Sequence, residues 1–248
     1  ATKEDSLLGY NSENGNFKPL PFDFTRASSA TVVNKAGLIE TVGSGEPRID
    51  FNNDANGALL LEPTRLQKIQ YSEAFDNAYW TKSGLLTPTS GFVSPKGDLS
   101  AFKLVEDSSN GGHKIHRNIA GTTANTNYSI SFYVKANGND YVTLNPTGLS
   151  ASNAQFNINT KTIAIDNYAG TTYSNGLITE LANGWLRCSV TINEPYGTIY
   201  AHIYTSSTPS YLTYTGNGTS GVYIFGAQLE QGSYATSYIP TQGSAVTR

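Results

Sequence analysis

The sequence contains no methionine, three histidines and one cysteine, Cys188, among its 248 residues. A single cysteine cannot form an internal disulfide, so the cysteine content does not indicate a redox compartment. Cys188 lies in an apolar alternation, which is typical of a small core residue rather than of a nucleophile. The sequence also lacks a serine or cysteine nucleophile motif and a phosphate-binding loop.

Charge is scarce as well. Charged residues make up 14% of the chain, the formal net charge is −3, and there is no long basic run. Without such a run the sequence has no cluster of positive charge of the kind that binds nucleic-acid phosphates. No apolar stretch approaches the ~20 residues that a membrane-spanning helix needs. We therefore expect no nucleic-acid partner and no membrane insertion.

The abundant residues are Gly, Ser, Thr, Asn and Tyr, a mixture that favours strands joined by tight turns. Asn-Gly pairs recur along the chain and fit two-residue hairpins. Eight short alternating runs predict an all-β, antiparallel β-sandwich or jelly roll. These runs are Lys114–Ala120, Tyr128–Ala136, Asp140–Asn145, Ala154–Asn159, Thr162–Asn167, Leu186–Asn193, Thr198–Ser206 and Gly221–Leu229.

The first part of the chain has a different character. Residues 1–67 contain a few strand-like segments but too few apolar strands for an independent core. We interpret residues 1–67 as an N-terminal β-rich arm or subdomain and residues 68–248 as the jelly-roll domain. The arm is expected to pack on the sandwich or on a neighbouring subunit.

Three blocks of sequence carry a resemblance to a known family. They are Phe24-Thr-Arg-Ala-Ser-Ser-Ala-Thr with Gly37-Leu-Ile-Glu and Glu46-Pro-Arg-Ile-Asp; Tyr71-Ser-Glu-Ala-Phe-Asp with Trp80-Thr-Lys; and Asn183-Gly-Trp-Leu-Arg-Cys-Ser-Val-Thr with the terminal stretch from Gly221. Together they resemble a module of phage tail-fibre and tail-spike proteins. The last two blocks are also similar to jelly-roll carbohydrate-binding modules attached to polysaccharidases.

This resemblance implies a β-jelly roll, an extracellular location in the virion tail, and contact with a polysaccharide or cell-surface glycan. It identifies no catalytic residue. A homotrimer of the full-length tail protein is one expected assembly.

The strongest local indication of sugar binding is Ile199-Tyr-Ala-His-Ile-Tyr. Strand alternation sends Ile199, Ala201 and Ile203 to one face, and the row Tyr200, His202 and Tyr204 to the other. Sugar rings present apolar C–H faces that lie flat on aromatic rings, while their hydroxyls need nearby donors and acceptors. In an alternative interpretation the N-terminal arm buries this row.

Other strands offer matching polar positions on the face opposite their apolar residues. If these faces belong to one sheet, the carbohydrate site also includes Tyr133, Arg187, His116 and Gln155. These side chains can hydrogen-bond to sugar hydroxyls, and their basic groups are also compatible with an acidic polysaccharide. The two tryptophans, Trp80 and Trp185, are expected in the core or at its edge.

A structural calcium is also implied, because jelly-roll modules of the resembling type often hold one between their first and last strands. Hard cations prefer oxygen ligands, and the expected side chains are Glu73, Asp76, Gln228 and Glu230. His113 and His116 are a poor zinc pair, since residues three apart in a strand point to opposite faces.

The residues therefore leave three functions open. The first is a non-catalytic carbohydrate-binding module that holds its sugar on one sheet face. The second is a structural module that mediates oligomerisation of a tail fibre. The third is a polysaccharide lyase that uses Tyr200, His202 and Tyr204, with Arg187 neutralising a uronate. Glycoside hydrolysis is disfavoured, because it needs two carboxyl groups across one bond and none lies within the Tyr–His row.

Overall fold

A computed structural model describes residues 8–11, 16–19, 25–147, 152–166, 172–209 and 213–248. The strands in these ranges are β1 (Leu8–Asn11), β2 (Asn16–Pro19), β3 (Ala30–Val33), β4 (Ile39–Val42), β5 (Ile49–Asp50), β6 (Ala58–Leu59), β7 (Leu66–Gln67), β8 (Thr81–Ser83), β9 (Thr89–Phe92), β10 (Ala101–Val105), β11 (Asn110–Gly111), β12 (Lys114–Ala120), β13 (Thr126–Asn137), β14 (Tyr141–Leu144), β15 (Asn153–Asn157), β16 (Thr162–Asp166), β17 (Thr172–Glu180), β18 (Leu186–Glu194), β19 (Thr198–Ser206), β20 (Tyr214–Thr215), β21 (Gly221–Gln231) and β22 (Val246–Thr247). The single helical element in these ranges is a 3₁₀ turn at Ala182–Gly184.

Two antiparallel six-stranded sheets form the body of the protein. The front sheet has the order β16-β15-β14-β19-β12-β8, and the back sheet has the order β17-β18-β13-β21-β10-β9. The prediction of an all-β antiparallel sandwich is therefore confirmed. In the described part of the chain, no helix has the length and apolar character needed to cross a membrane.

The main core lies between the two sheets and follows the alternation of the strands. On β19, Ile199, Ala201 and Ile203 are 0–3% exposed and face inward, as predicted. The back sheet sends the alternate residues of β13 and β18 into the same core, among them Phe132 and Cys188. Because successive side chains of a strand point to opposite faces, the residues between them form the outer surface of each sheet.

A β-bulge changes the inward-facing parity of β21. Its register against β13 shifts between Ser131 and Tyr133. Before the bulge Ile224 lies in the core, and after it Ala227 does so. Gly226 occupies the bulge with φ 61°, a left-handed conformation that glycine adopts without a steric penalty. Phe225 precedes the bulge and alternates with Ile224, so its ring lies on the outer side of the back sheet.

The arm covers this outer side of the back sheet. A second cluster there joins Ile39 of the arm to Tyr133, Trp185, Phe225 and Tyr238. Further connections attach the arm, among them the pairing of β7 with β22, the Gln67 amide bridging to Ala227 and Leu229, and the Thr31 hydroxyl donating to the Tyr238 carbonyl. The residues of the arm from 25 onward thus pack on the sandwich, while a domain boundary at residue 67 stays a prediction. Trp80 and Trp185 are each 1% exposed and lie in the first and second clusters.

Candidate functional site

The candidate site is the outer surface of the front sheet, called the front face below. Strands β12 and β19 pair so that Lys114 lies opposite Tyr204, His116 opposite His202, and Asn118 opposite Tyr200. These are the residues that alternate with the inward-facing isoleucines of both strands. Among the described residues, the contacts of residues 25–67 with the sandwich are to the back sheet and the C-terminal segment, and none of them is to Tyr200, His202 or Tyr204.

The rings of the front face pack closely against one another. The ring centroids of His116 and His202 are 4.8 Å apart, and those of Tyr200 and His202 are 5.3 Å apart in an edge-on arrangement. The Lys114 ammonium donates to the Tyr204 hydroxyl at 3.0 Å and lies 4.9 Å from the centroid of the same ring. His202 and Tyr204 are only 8% exposed, so the row is less open than a free aromatic platform.

Tyr200, His116 and Lys114 are half-buried, and Asn118 is exposed. A ligand would therefore meet the edges of the packed rings and the polar groups between them. Edge and polar contacts of this kind can orient hydroxyl groups, while the Tyr200 ring supplies apolar surface.

Both histidines of the front face are held neutral. Burial, with the charges of Lys114 and His116 adding to it, lowers the pKa of His202 to about 3. Burial and then Lys114 also lower the pKa of His116. A neutral imidazole has one donor and one acceptor nitrogen. His202 Nε2–H donates a hydrogen bond to the Asn118 amide oxygen at 3.1 Å, so in the neutral ring Nδ1 is the acceptor nitrogen.

The front face continues across β14 and β15. Thr143 lies opposite both Tyr204 and Gln155. The Gln155 amide nitrogen donates to the Thr143 hydroxyl at 3.1 Å and to the Pro209 carbonyl at 2.7 Å. These bonds fix the orientation of the amide, so the Gln155 carbonyl oxygen is an oriented acceptor on the surface. Thr143 was not predicted as a site residue, although the alternation of Tyr141–Leu144 places it on this side.

Tyr133 and Arg187 do not belong to this surface, which corrects the expectation of one common face. They pair with each other across β13 and β18 on the outer side of the back sheet. Tyr133 is 3% exposed, and the Arg187 guanidinium lies 5.4 Å from its ring centroid and donates to Thr236 O. Alternation placed both residues on the face opposite the main core between the sheets, but it could not show which sheet they occupy or that Tyr133 joins a second buried cluster there.

The four side chains expected to bind calcium do not form one ligand set. Glu230 is fully buried and accepts from Gln228 Nε2, Thr236 N and Thr236 Oγ1. Glu73 pairs with Lys96 and accepts from the Tyr238 hydroxyl, and Asp76 is exposed. In the described part of the chain, no group of three or more His, Cys, Asp and Glu residues is arranged to hold a metal. Calcium binding stays a prediction that these residues do not support.

The electrostatics of the front face also bear on catalysis. Within the described ranges, no aspartate or glutamate hydrogen-bonds or ion-pairs with His116, His202 or Lys114. A base with a pKa of about 3 is a poor proton acceptor at neutral pH. Arg187, the residue expected to neutralise a uronate in a lyase, lies on the other sheet. The arrangement suits hydrogen bonding and ring contact rather than proton transfer.

No family model and no curated protein matches the sequence. Among solved structures, the chain is similar to the enzymatically active domain of tailspike protein 4 from bacteriophage CBA120, with 11% identity and a TM-score of 0.42 over 66% of this chain and 21% of that one. It is also similar to the CBM22-1 xylan-binding domain of Xyn10C from Paenibacillus barcinonensis, with 11% identity and a TM-score of 0.36 over 68% of this chain and 96% of that one.

A third similar structure is the mannan-recognising carbohydrate-binding module TmCBM27, with 16% identity and a TM-score of 0.32 over 70% of this chain and 98% of that one. The chain spans about a fifth of the tailspike domain. At these scores the likenesses carry no argument about ligand or reaction.

Proposed function

We propose that this chain binds a polysaccharide on its front face without cleaving it, as a module of a phage tail protein located in the virion and outside the cell. The observation that carries the proposal is the row of packed rings across β12 and β19, with neutral imidazoles and oriented amides between them. Each of these groups can exchange hydrogen bonds with sugar hydroxyls, and the half-buried Tyr200 ring offers apolar contact.

Lys114 gives the front face a positive character. Among the described residues no carboxylate lies within ion-pair distance of its ammonium, and its charge contributes to lowering the pKa of both neighbouring histidines. An acidic polysaccharide would supply the missing counter-charge, and such a charge-assisted hydrogen bond is stronger than a neutral one. We therefore include uronate-containing polymers in the ligand class.

Affinity gel electrophoresis on neutral and uronate-containing polysaccharides tests the proposal. Retardation is expected on at least one polymer, and Tyr200→Ala should weaken it about fivefold or more, since truncation of a central contact costs more than about 1 kcal/mol. Tyr234→Ala is the matched control, because Tyr234 is 49% exposed and contacts Arg65 away from the front face. Absence of retardation on every polymer, or equal effects of the two variants, would count against the front face.

The absence of cleavage is tested on the same polymers. We expect no release of reducing ends and no absorbance from unsaturated products. A time-dependent rise in either signal that His202→Ala abolishes would instead establish catalysis by this surface.

Oligomerisation of a tail fibre is a second candidate function, favoured by exposed leucines. Leu61, Leu99 and Leu177 are 73%, 66% and 56% exposed. Light scattering distinguishes the two functions. A stable trimer that dissociates on Leu61→Glu and binds no polysaccharide favours the structural role.

A further inference from the structure

A cavity lies between the arm and the back sheet, on the opposite side of the sandwich from the front face. Its volume is about 210 Å³. Its floor consists of Tyr133, Leu177, Arg187 and Ser189 from β13, β17 and β18, and Val32 of the arm lies among the residues above them. We call this space the under-arm cavity.

Two hydroxyl groups on its floor have no hydrogen-bond partner among the described residues. The Tyr133 hydroxyl and the Ser189 hydroxyl make no hydrogen bond with a described residue, although the two side chains are 3% and 8% exposed. Arg187 Nε, in the same wall, is buried and unpaired among the described residues, and leaving such a group unpaired costs about 1–3 kcal/mol. The Tyr133 and Ser189 hydroxyls can each donate to and accept from a polar occupant of the cavity.

The position of these groups follows from strand register. Tyr133 lies directly opposite Arg187, and Ser189 lies one outward-facing position further along β18. The guanidinium is fixed by its other nitrogen, Nη2, which donates to Ser131 Oγ at 3.0 Å and to Thr236 O at 2.7 Å. These two bonds hold the Arg187 side chain in one position beside the cavity, as a preformed binding site requires.

The carboxylates beside the cavity are already engaged. Asp50 accepts from the backbone nitrogens of Val33 and Asn52. Glu62 accepts from Arg48, Arg248 and Ser237. The groups left for an occupant are thus the Tyr133 and Ser189 hydroxyls, which can both donate and accept, beside the aromatic ring of Tyr133 and the apolar side chain of Leu177. A ligand with several hydroxyl groups and an apolar face matches this combination.

We propose that the under-arm cavity is a second binding site, which takes a single sugar residue, either a free monosaccharide or the end of a glycan chain. Its volume lies below the roughly 300–1,000 Å³ of pockets for drug-sized ligands, which limits the occupant to one ring. The site does not rest on polysaccharide binding by the front face, because the two surfaces belong to different sheets.

The test uses the full chain and five probes: D-glucose, D-galactose, D-mannose, N-acetyl-D-glucosamine and L-rhamnose. Saturation-transfer NMR shows which sugar binds, and a crystal soaked with that sugar locates it. Tyr133→Phe removes only a hydroxyl without a partner, so the fold should be kept and the affinity should fall roughly threefold to tenfold. Ser189→Leu fills the cavity and should abolish binding.

Tyr200→Ala is the matched control, because it alters the front face and should leave monosaccharide binding in the under-arm cavity unchanged. If none of the five sugars binds, if Tyr133→Phe and Ser189→Leu bind as well as the unaltered chain, or if the soaked crystal shows only ordered water in the cavity, the proposal is overturned. Loss of polysaccharide retardation with Tyr200→Ala, while monosaccharide binding persists, separates the two sites.

Discussion

Substitution of Glu62 by alanine is expected to loosen the arm from the back sheet. The Glu62 carboxylate accepts from Arg48 Nη1 at 2.6 Å, from Arg248 Nη2 at 3.0 Å, and from the backbone nitrogen and hydroxyl of Ser237 at 2.7 Å each. The side chains of Glu62, Arg48 and Arg248 are only 10%, 6% and 5% exposed. The alanine variant therefore leaves two buried guanidinium groups without their carboxylate.

Removal of one partner from a buried ion pair costs about 3–5 kcal/mol, because the remaining charge is left uncompensated. For a chain of this size 1 kcal/mol shifts Tm by about 2–4 °C, so Tm should fall by roughly 6–20 °C. Urea and thermal unfolding followed by circular dichroism measure the loss. Hydrogen exchange of β3–β6 shows whether the arm opens before the sandwich does.

The matched control is Glu180→Ala. Glu180 Oε2 is 2.6 Å from Lys161 Nζ, the same separation as in the Arg48–Glu62 pair, but these side chains are 62% and 44% exposed. An exposed ion pair contributes about 0–1 kcal/mol, so this variant should remain close to the unaltered chain. Equal effects of the two substitutions would refute the reasoning that burial decides the contribution of each pair.

The contribution of Glu62 to stability depends on pH, and the sign of that dependence follows from its pKa. Burial alone would raise the pKa of Glu62, but hydrogen bonds from Ser237 and Arg48 and the charge of Arg248 outweigh it, and the pKa in the folded protein lies below its ordinary value. Its contribution to stability is therefore present above the pKa of the unfolded chain and is lost as the pH falls through the lower folded value. Glu62→Gln should flatten this acid limb of the stability curve.

Three further outcomes are expected. Gly226→Ala should lower the free energy of unfolding by more than Gly45→Ala. Both positions have positive φ, but only at Gly226 would a Cβ lie 2.9 Å from the Tyr133 ring. Equal losses of stability in urea titrations of the two variants would exclude the clash. His202 should titrate by NMR near pH 3. Because folding lowers its pKa, the stability of the protein should decline as the pH falls from about 6.5 toward about 3. A titration midpoint of His202 near pH 6.5 would contradict the burial of its ring. Cys188, buried with a raised pKa, should react with iodoacetamide only when the chain unfolds, and rapid labelling of the native protein would refute this.

The strands of the two sheets were predictable where apolar and polar residues alternate over a long run. The bounds of β12 and β19 coincide with the prediction, because Ile115 and Ile119 on one strand and Ile199 and Ile203 on the other mark the inward face without interruption. The same alternation placed Tyr200 and His202 on the outer surface. Cross-strand register then brought His116 beside His202, which sequence separation alone does not show.

Other strands carry too weak a signal. Strand β17 is an edge strand with a register shift between Ser174 and Leu177, and Leu177 is 56% exposed. Its alternation is therefore broken, and it was not predicted. Strand β8 is only three residues long, and its pairing with β12 is a tertiary contact that no local pattern encodes.

The misplacement of Tyr133 and Arg187 has a different cause. Alternation reports which side of its own strand a residue occupies, and both residues do lie opposite the core as predicted. It does not report which of two sheets the strand joins, nor that the arm and the Tyr238 segment cover that outer side. Both facts depend on contacts between distant parts of the chain, such as Thr31 with Tyr238.

The most direct test of polysaccharide binding is NMR mapping of backbone amides while an oligosaccharide from a retarding polymer is added. The proposal requires the largest shifts on β12, β14 and β19 around His116, Thr143 and Tyr200, together with a change in the imidazole signals of His116 and His202. Shifts confined to the back sheet and the arm, or none on the front sheet at saturation, would contradict a glycan site on the front face.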